Sequence, residues 1–384
     1  MKTPNMEKQS EVKQKYKMNE TDNSEQQSHQ LLIPNREDNE SATVSYDGNP
    51  IKEKMMAMLG AIAATGLVAM TAFISINNVD TETPNVTPLI LESIPKPPDT
   101  KNPYYSLSLE ARAAVVYDVH NDKILFEINK NKPLPLASLT KMMTALVASE
   151  TFDTNTNIAI APKAIETEGD SGLFSNESWK IKDLISFTML TSSNDGASAL
   201  AAAAGSLWYS STPQTMQGRH DEVDTFVDKM NLRAREIGLQ ETTYTNPTGL
   251  DNHGTGGLGT AEDMSKLLTY IWENEPGAIQ NTNILEKEFV SEDNFVHFAE
   301  NTNEHVRNIP GLIGSKTGYT DKAGGNLAVI YDSGMDHPIV IVVLGSSIDG
   351  RFEDVQDLVD ATYGYIASGW FEYEITGGST PSRV

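Results

Sequence analysis

Hydrophobic and polar positions divide the chain into four stretches. Residues 1–54 are rich in Gln, Asn, Ser, Glu and Lys, show little hydrophobic periodicity, and read as a disordered tail. Met55 to Ile76 follows as an uncharged run of 22 residues, MMAMLGAIAATGLVAMTAFISI. At about 1.5 Å per residue such a helix reaches about 33 Å, enough for a hydrocarbon core of about 30 Å. A core helix of a globular domain normally shows a polar face, which this run lacks. The apolar region of a cleaved signal peptide is shorter and lies near the start, whereas 54 residues precede this one. The run at 55–76 therefore reads as a retained transmembrane helix. Residues 77–105 hold Pro84, Pro88, Pro95, Pro97, Pro98 and Pro103. They read as an extended, semi-stiff extracytoplasmic linker, with an arm packed on the following domain as the alternative.

Residues 106–384 alternate in a globular, mixed manner. Ala113–Asp118 and Ile124–Ile128 are β-like runs around the turn residues His120-Asn121-Asp122. Met142–Ala148 and Leu184–Ala204 read as apolar helices, and Val223–Ile237 and Ala261–Trp272 have amphipathic helical spacing. Leu327–Tyr331 and Pro338–Leu344 are β-branched runs flanking Gly334-Met335-Asp336-His337, a second hairpin, and Leu358–Ile366 closes as a helix. The order β–β, helices, β–β–α predicts an α/β (α+β) domain: an antiparallel sheet whose first and last strands meet, flanked by helices.

Charge adds orientation and excludes some partners. Lys plus Arg number 29 against 53 Asp plus Glu, a net −24. The tail is nearly neutral, so the excess sits on the remainder, and phosphate-rich nucleic acid is excluded as a partner. Lys52 and Lys54 precede the apolar run, whereas Asp80, Glu82 and Glu92 follow it before the first basic residue, Lys96. That asymmetry places the tail in the cytoplasm and the rest outside a cell membrane crossed once. Cysteine is absent, which removes disulfides, thiol nucleophiles and thiolate metal sites. The seven histidines form no paired motif on one helix, which argues against a zinc carboxypeptidase, and no cofactor is expected.

Three short patterns carry candidate chemistry. Ser138-Leu139-Thr140-Lys141 is an S-x-x-K that opens an apolar helix after Pro133 and Pro135, setting both side chains on one face. The same pattern at Ser10–Lys13 lies in the tail, and at Ser93–Lys96 the prolines forbid a helical turn. A serine hydroxyl needs a base to become nucleophilic, and lysine serves only when burial or a second cation keeps it neutral. The helix start also offers free N–H groups to an oxyanion. The plain alternative is a capping serine beside a solvated lysine. Ser192-Ser193-Asn194 interrupts two apolar segments, which is costly in a core unless the polar groups are paired or functional, a capping loop being the alternative. Lys316-Thr317-Gly318 occurs once, at the head of a strand, with a turn bearing a surface lysine as its alternative.

Taken in order, Ser-x-x-Lys, Ser-x-Asn and Lys-Thr-Gly resemble the penicillin-recognising serine enzymes. PLASLTKMMTALVA, TSSNDGASALA, FVDKMNLRAREIGLQETTYTNPTGLD, GTAEDMSKLL and GSKTGYTDKAGGNLA narrow this to a resemblance to the D-alanyl-D-alanine carboxypeptidase family over residues 106–368. The resemblance implies a β-lactamase/DD-peptidase-like transpeptidase fold and cleavage of the terminal D-Ala–D-Ala bond of a peptidoglycan stem peptide, with β-lactams as inhibitors. It implies Ser138 as acylated nucleophile, Lys141 as its base and Ser192 as proton relay to the leaving amine. Asn194 would bind the substrate amide or hold Lys141. Lys316 would meet the terminal carboxylate and keep Lys141 neutral, with Thr317 adding a hydrogen bond and Gly318 allowing close approach. The N–H groups of Ser138 and Tyr319 would form the oxyanion hole. Arg351, in GSSIDGRFEDVQDL, resembles a downstream arginine of the family, with a surface salt bridge as the alternative reading.

Some features depart from the pattern. Family members often carry a second, β-rich domain and a C-terminal amphipathic anchor; GGSTPSRV supplies neither, and the span at 55–76 is expected to replace the anchor. Trp208–Asp221 looks inserted. A β-lactamase would share the three motifs, but the Glu-x-x-Leu-Asn run of its best-known class is missing. A module that acylates without turnover, sensing β-lactams or binding wall, needs the same residues and stays open.

Overall fold

The computed structural model describes Pro98 and residues 100–210, 221–251 and 254–375. The tail, the apolar run 55–76, most of the linker and most of the Trp208–Asp221 stretch lie outside the described residues. Among the described residues no helix is long and apolar enough to cross a membrane.

The chain enters through β1 (Ala113–Asp118) and β2 (Lys123–Ile128). Then β3 (Leu134–Pro135) leads through a 3-10 turn, Ala137–Leu139, into α1 (Thr140–Thr151). After β4 (Asn157–Ala159) and β5 (Ser178–Lys180) come α2 (Ile181–Thr191), α3 (Asn194–Tyr209) and α4 (Glu222–Glu236). Next are β6 (Thr243–Tyr244), β7 (Gly257–Gly259), α5 (Ala261–Asn274), β8 (Glu286–Val290) and β9 (Val296–Glu300). The end is β10 (Leu312–Thr320), β11 (Gly324–Asp332), β12 (Pro338–Ser346), α6 (Gly350–Ala367) and α7 (Trp370–Ile375).

The main sheet has five strands in the order β10-β11-β12-β1-β2, every neighbour antiparallel. The first strand does meet the last, with Val115 opposite Val342. Both faces are covered, so its central strands read as unbroken apolar runs rather than as alternating ones. Strand alternation still sorts the side chains. Val115, Val340, Val342, Ala328 and Ile330 join the core shared with α1 to α5. Val116, Ile339, Ile341, Val329 and Tyr331 face the opposite core, which α6 covers through Val355, Leu358 and Val359. The β11–β12 hairpin turns at Met335 and Asp336, both at positive φ, 59° and 57°, as a tight antiparallel connection requires.

Three differences from the sequence reading have local causes. Leu184–Ala204 is two helices, not one, because α2 ends at Ser192 in a left-handed conformation and Ser193 caps α3 by accepting from the Gly196 N–H at 2.8 Å. Lys316 sits mid-strand in a nine-residue β10 rather than at a strand head. The hairpin β8–β9, Glu-Lys-Glu-Phe-Val against Val-His-Phe-Ala-Glu, has no clean alternation of apolar residues and is not among the strands that the sequence predicts. In addition, Asn102 and Tyr104 pack on the body: Tyr104 is buried against Phe126, and its hydroxyl bonds Thr362 Oγ1 at 2.8 Å. The end of the linker stretch is therefore an arm on the domain.

Candidate active site

The nucleophile turn comes first. Ala137 has φ 47°, a left-handed conformation costing a β-carbon residue about 1–3 kcal/mol, so neighbours must hold it. Asn326 Nδ2 donates to the carbonyls of Pro135 and Leu136, both at 3.0 Å, and the Leu136 N–H donates to Gly257 O at 3.0 Å. Two glycines let further backbone close in. A Cβ on Gly249 would lie 1.9 Å from Ala137 O, and one on Gly318 would lie 3.1 Å from Ser138 N. Ser138 emerges half-buried from this turn, and neither the turn nor α1 takes a side-chain cap from it. The capping alternative for Ser138 is thereby removed.

Lys141, one turn on, is fully buried rather than solvated. Its Nζ lies 2.9 Å from Ser138 Oγ, 2.7 Å from Asn194 Oδ1 and 2.7 Å from Thr248 O. The amide of Asn194 is oriented by Glu168, whose carbonyl accepts from Nδ2 at 2.7 Å and so turns Oδ1 towards the lysine. Burial without a carboxylate partner pushes the Lys141 ammonium down to about 7. A neutral amine has two N–H bonds and one lone pair. Asn194 Oδ1 and Thr248 O can only accept, so they take the two N–H bonds and the lone pair faces the Ser138 hydroxyl.

Lys316 projects from β10, the edge strand of the main sheet, and is only 2% exposed. It donates to Ser192 Oγ at 2.8 Å and to Thr317 O at 2.9 Å. The left-handed turn at Ser192 is what brings this hydroxyl to the lysine. Burial, then the charges of Lys141 and Arg351, pull the Lys316 ammonium well below its ordinary value. Thr317 Oγ1 pairs with Thr302 Oγ1 at 2.6 Å, and Tyr319 is 45% exposed at the strand end. Arg351 is buried, not a surface ion pair: it donates from NH1 to Gly318 O at 2.9 Å and stacks over Phe352. Beside the neutral Lys141, two cationic side chains, Lys316 and Arg351, thus have hydrogen-bond partners that are all neutral. Such a site is built to receive an anion.

The structure joins Ser138, Lys141 and Asn194, links Ser192 to Lys316, and sets Gly318 against the Ser138 N–H, whereas Thr317 pairs with Thr302 and the Tyr319 side chain stands at the strand end with its hydroxyl towards Asp321. The sequence reading gave no role to the Glu168 carbonyl, to Thr302, or to Ser171, which bonds both Ser193 Oγ (2.5 Å) and Asp195 Oδ2 (3.1 Å). It also gave none to the Thr248 carbonyl, although the segment holding it is one of those that carry the family resemblance.

A helix-flanked antiparallel sheet with Ser-x-x-Lys, Ser-x-Asn and Lys-Thr-Gly in one cleft defines the penicillin-recognising serine fold. It is shared by a crystal structure of a D-alanyl-D-alanine carboxypeptidase from Mycobacterium tuberculosis H37Rv, at TM-score 0.59 and 26% identity over 70% of this chain and 96% of that one. Penicillin-binding protein D2 from Listeria monocytogenes, solved in an ampicillin-bound form, matches at TM-score 0.54 and 26% identity, over 67% and 98% of the two chains. A family model described as D-alanyl-D-alanine carboxypeptidase matches residues 99–347, and the chain belongs to that family. Among curated relatives, D-alanyl-D-alanine carboxypeptidase DacF of Bacillus subtilis is 29% identical over 265 residues, 67% of this chain and 63% of the relative. The match thus spans somewhat less than two thirds of that relative's length.

Proposed function

We propose that the protein is a serine-type D-Ala-D-Ala carboxypeptidase that removes the terminal D-alanine from peptidoglycan stem peptides through an acyl-enzyme on Ser138. The observation that carries this reading is the buried Lys141 Nζ, 2.9 Å from Ser138 Oγ, with both its N–H bonds committed elsewhere.

Ser138 Oγ attacks the carbonyl carbon of the penultimate D-alanine while its proton passes to the Lys141 lone pair. The tetrahedral oxyanion is held by the N–H groups of Ser138 and Tyr319, fixed donors in a partly dry cleft. The proton held by Lys141 passes by way of Ser192 to the departing amine, the C–N bond breaks, and free D-alanine leaves with Lys141 neutral again. Water then attacks the ester, Lys141 takes the water's proton, and Ser138 regains its own. The substrate carboxylate lies against Lys316, Thr317 and Arg351. It supplies the counter-charge the cations lack and restores the Lys316 ammonium. A β-lactam opens in the same way, but its amine stays tethered and the adduct persists.

The test uses two peptides ending in D-Ala-D-Ala, one with a free carboxylate and one amidated. The wild type is expected to release D-alanine from the first and to prefer it by about 100-fold or more in kcat/KM, since the site otherwise leaves buried cations unpaired. In Lys316→Ala that preference should shrink to less than about tenfold. Equal rates on both peptides in the wild type would remove the carboxylate role, and no release from either would remove the reading.

The uncharged run 55–76 and its flanking charges support the further proposal that this body is held at the outer face of a cell membrane, where stem peptides lie. Full-length protein should then stay with membranes through alkaline carbonate washing and dissolve in detergent; release by the wash would discard the anchor.

A further inference from the structure

Lys141 takes one of its acceptors from a loop, Thr245 to Leu250, that lies outside the Ser-x-x-Lys, Ser-x-Asn and Lys-Thr-Gly patterns. Within that loop Asn246 uses its whole amide. Its Oδ1 accepts from the Thr248 N–H at 3.1 Å, the Thr248 hydroxyl at 2.9 Å and the Gly249 N–H at 2.7 Å, and its Nδ2 donates to Leu250 O at 2.8 Å. Four bonds from one side chain fold the turn so that the carbonyls of Pro247 and Thr248 both point at α1. Thr144 Oγ1 donates to the first at 2.7 Å, and Lys141 Nζ donates to the second at 2.7 Å. Lys141 and Thr144 stand one turn apart on the same face of α1, so the loop lies along that face in a single register. On its other side, the loop abuts the strained Ala137 through Gly249, where φ is 85° and no β-carbon fits.

We propose that Asn246 is a positioning residue for acylation: by fixing the Thr248 carbonyl it occupies one Lys141 N–H bond and thereby aims the amine lone pair at Ser138. The need follows from counting bonds. A neutral lysine amine rotates freely about its last C–N bond, and three surrounding oxygens compete for two N–H bonds. If the Thr248 carbonyl drifts by about an ångström, an N–H can turn towards Ser138 Oγ instead. The amine would then donate to the nucleophile rather than accept its proton, and acylation would wait for rotation back. Misplacements of about 1 Å cost about 100-fold in comparable settings. The substrate pocket itself is untouched, because Lys316, Thr317 and Arg351 hang on β10 and α6 and not on this loop. The effect therefore belongs to the chemical step and not to binding.

This inference rests on the carboxypeptidase reading, and the experiment separates the two. Acylation of the purified protein by a fluorescent penicillin is followed over a range of penicillin concentrations, giving a saturating rate and a half-saturation concentration. Asn246→Ala is expected to lower the saturating rate about 10- to 100-fold while half-saturation moves less than about threefold. Asn246→Asp keeps the acceptor for Thr248 and Gly249 and should recover the saturating rate to within about fivefold. If Asn246→Ala does not fold, Asn246→Gln takes its place, since it keeps the amide but sets it one methylene too far, and the same slowing is expected. A wild-type saturating rate in folded Asn246→Ala or Asn246→Gln overturns the proposal. So does a loss confined to half-saturation, or an Asn246→Asp variant as slow as the alanine one. Failure of the wild type itself to acylate sinks the carboxypeptidase reading, and this inference with it. Wild-type acylation with an unaffected Asn246→Ala sinks the inference alone.

Discussion

Ser138→Ala will lose covalent labelling by a fluorescent penicillin altogether and will release D-alanine at least about 10⁴-fold more slowly than the wild type. The size of the effect follows from the role. No other hydroxyl in the described cleft has a neutral amine aimed at it: Ser192 accepts from Lys316, and the hydroxyl of Thr317 is paired with Thr302. The fold should survive, because the Ser138 hydroxyl caps no helix and its loss leaves only one bond to Lys141 unmade. The two other Ser-x-x-Lys sites supply controls, since Ser10→Ala and Ser93→Ala should label as the wild type does. Peptide mapping checks the assignment directly. A labelled peptide containing any serine other than Ser138, or residual labelling of Ser138→Ala, would contradict the mechanism.

Penicillin acylation will fall about tenfold for each pH unit below 7 and level off above it, a loss of about 100-fold at pH 5. The sign follows from which form reacts. Only neutral Lys141 can take the Ser138 proton, and burial has lowered its ammonium to about 7, so the reactive fraction grows as pH rises through that value. An ordinary exposed lysine would leave the enzyme almost inactive at neutral pH. Lys316 is displaced in the same direction, by burial and by the charges of Lys141 and Arg351. Its role is the opposite one, because it must be an ammonium to hold a carboxylate. Rising pH should therefore weaken binding at the alkaline end, where half-saturation climbs while the saturating rate stays high. Lys141→Arg, charged throughout, should give a rate at least about 10³-fold lower with no rise near pH 7. An acylation rate flat from pH 5 to 8 in the wild type would show that Lys141 is not the base.

Both expectations depend on how three distant stretches of chain meet, and that was only partly legible beforehand. The hairpins β1–β2 and β11–β12 were readable because their apolar runs and turn residues are local signals. The pairing of β1 with β12 followed from the order of elements. The break at Ser192 was half visible, as polar residues interrupting an apolar stretch. Its left-handed backbone was not, since a serine adopts it only when the surroundings insist. Arg351 read equally well as a surface ion pair, and packing against Gly318 and Phe352 resolved it. The hairpin β8–β9 escaped because Glu, Lys and His break its apolar alternation.

By itself, the sequence determined the set of chemical groups: which hydroxyl follows a turn, which lysine stands one helical turn beyond it, and which motif lies on a strand. Those are relations between near neighbours, and helix and strand periodicity set them. Charge state and direction were decided only by the tertiary structure. In the proposed mechanism Lys141 acts as a base because it is buried and because α3 and the Asn246 loop take its N–H bonds, and those elements lie 53 and 107 residues away at the points of contact. Burial and hydrogen-bond saturation are properties of the packed chain, and no local pattern encodes them.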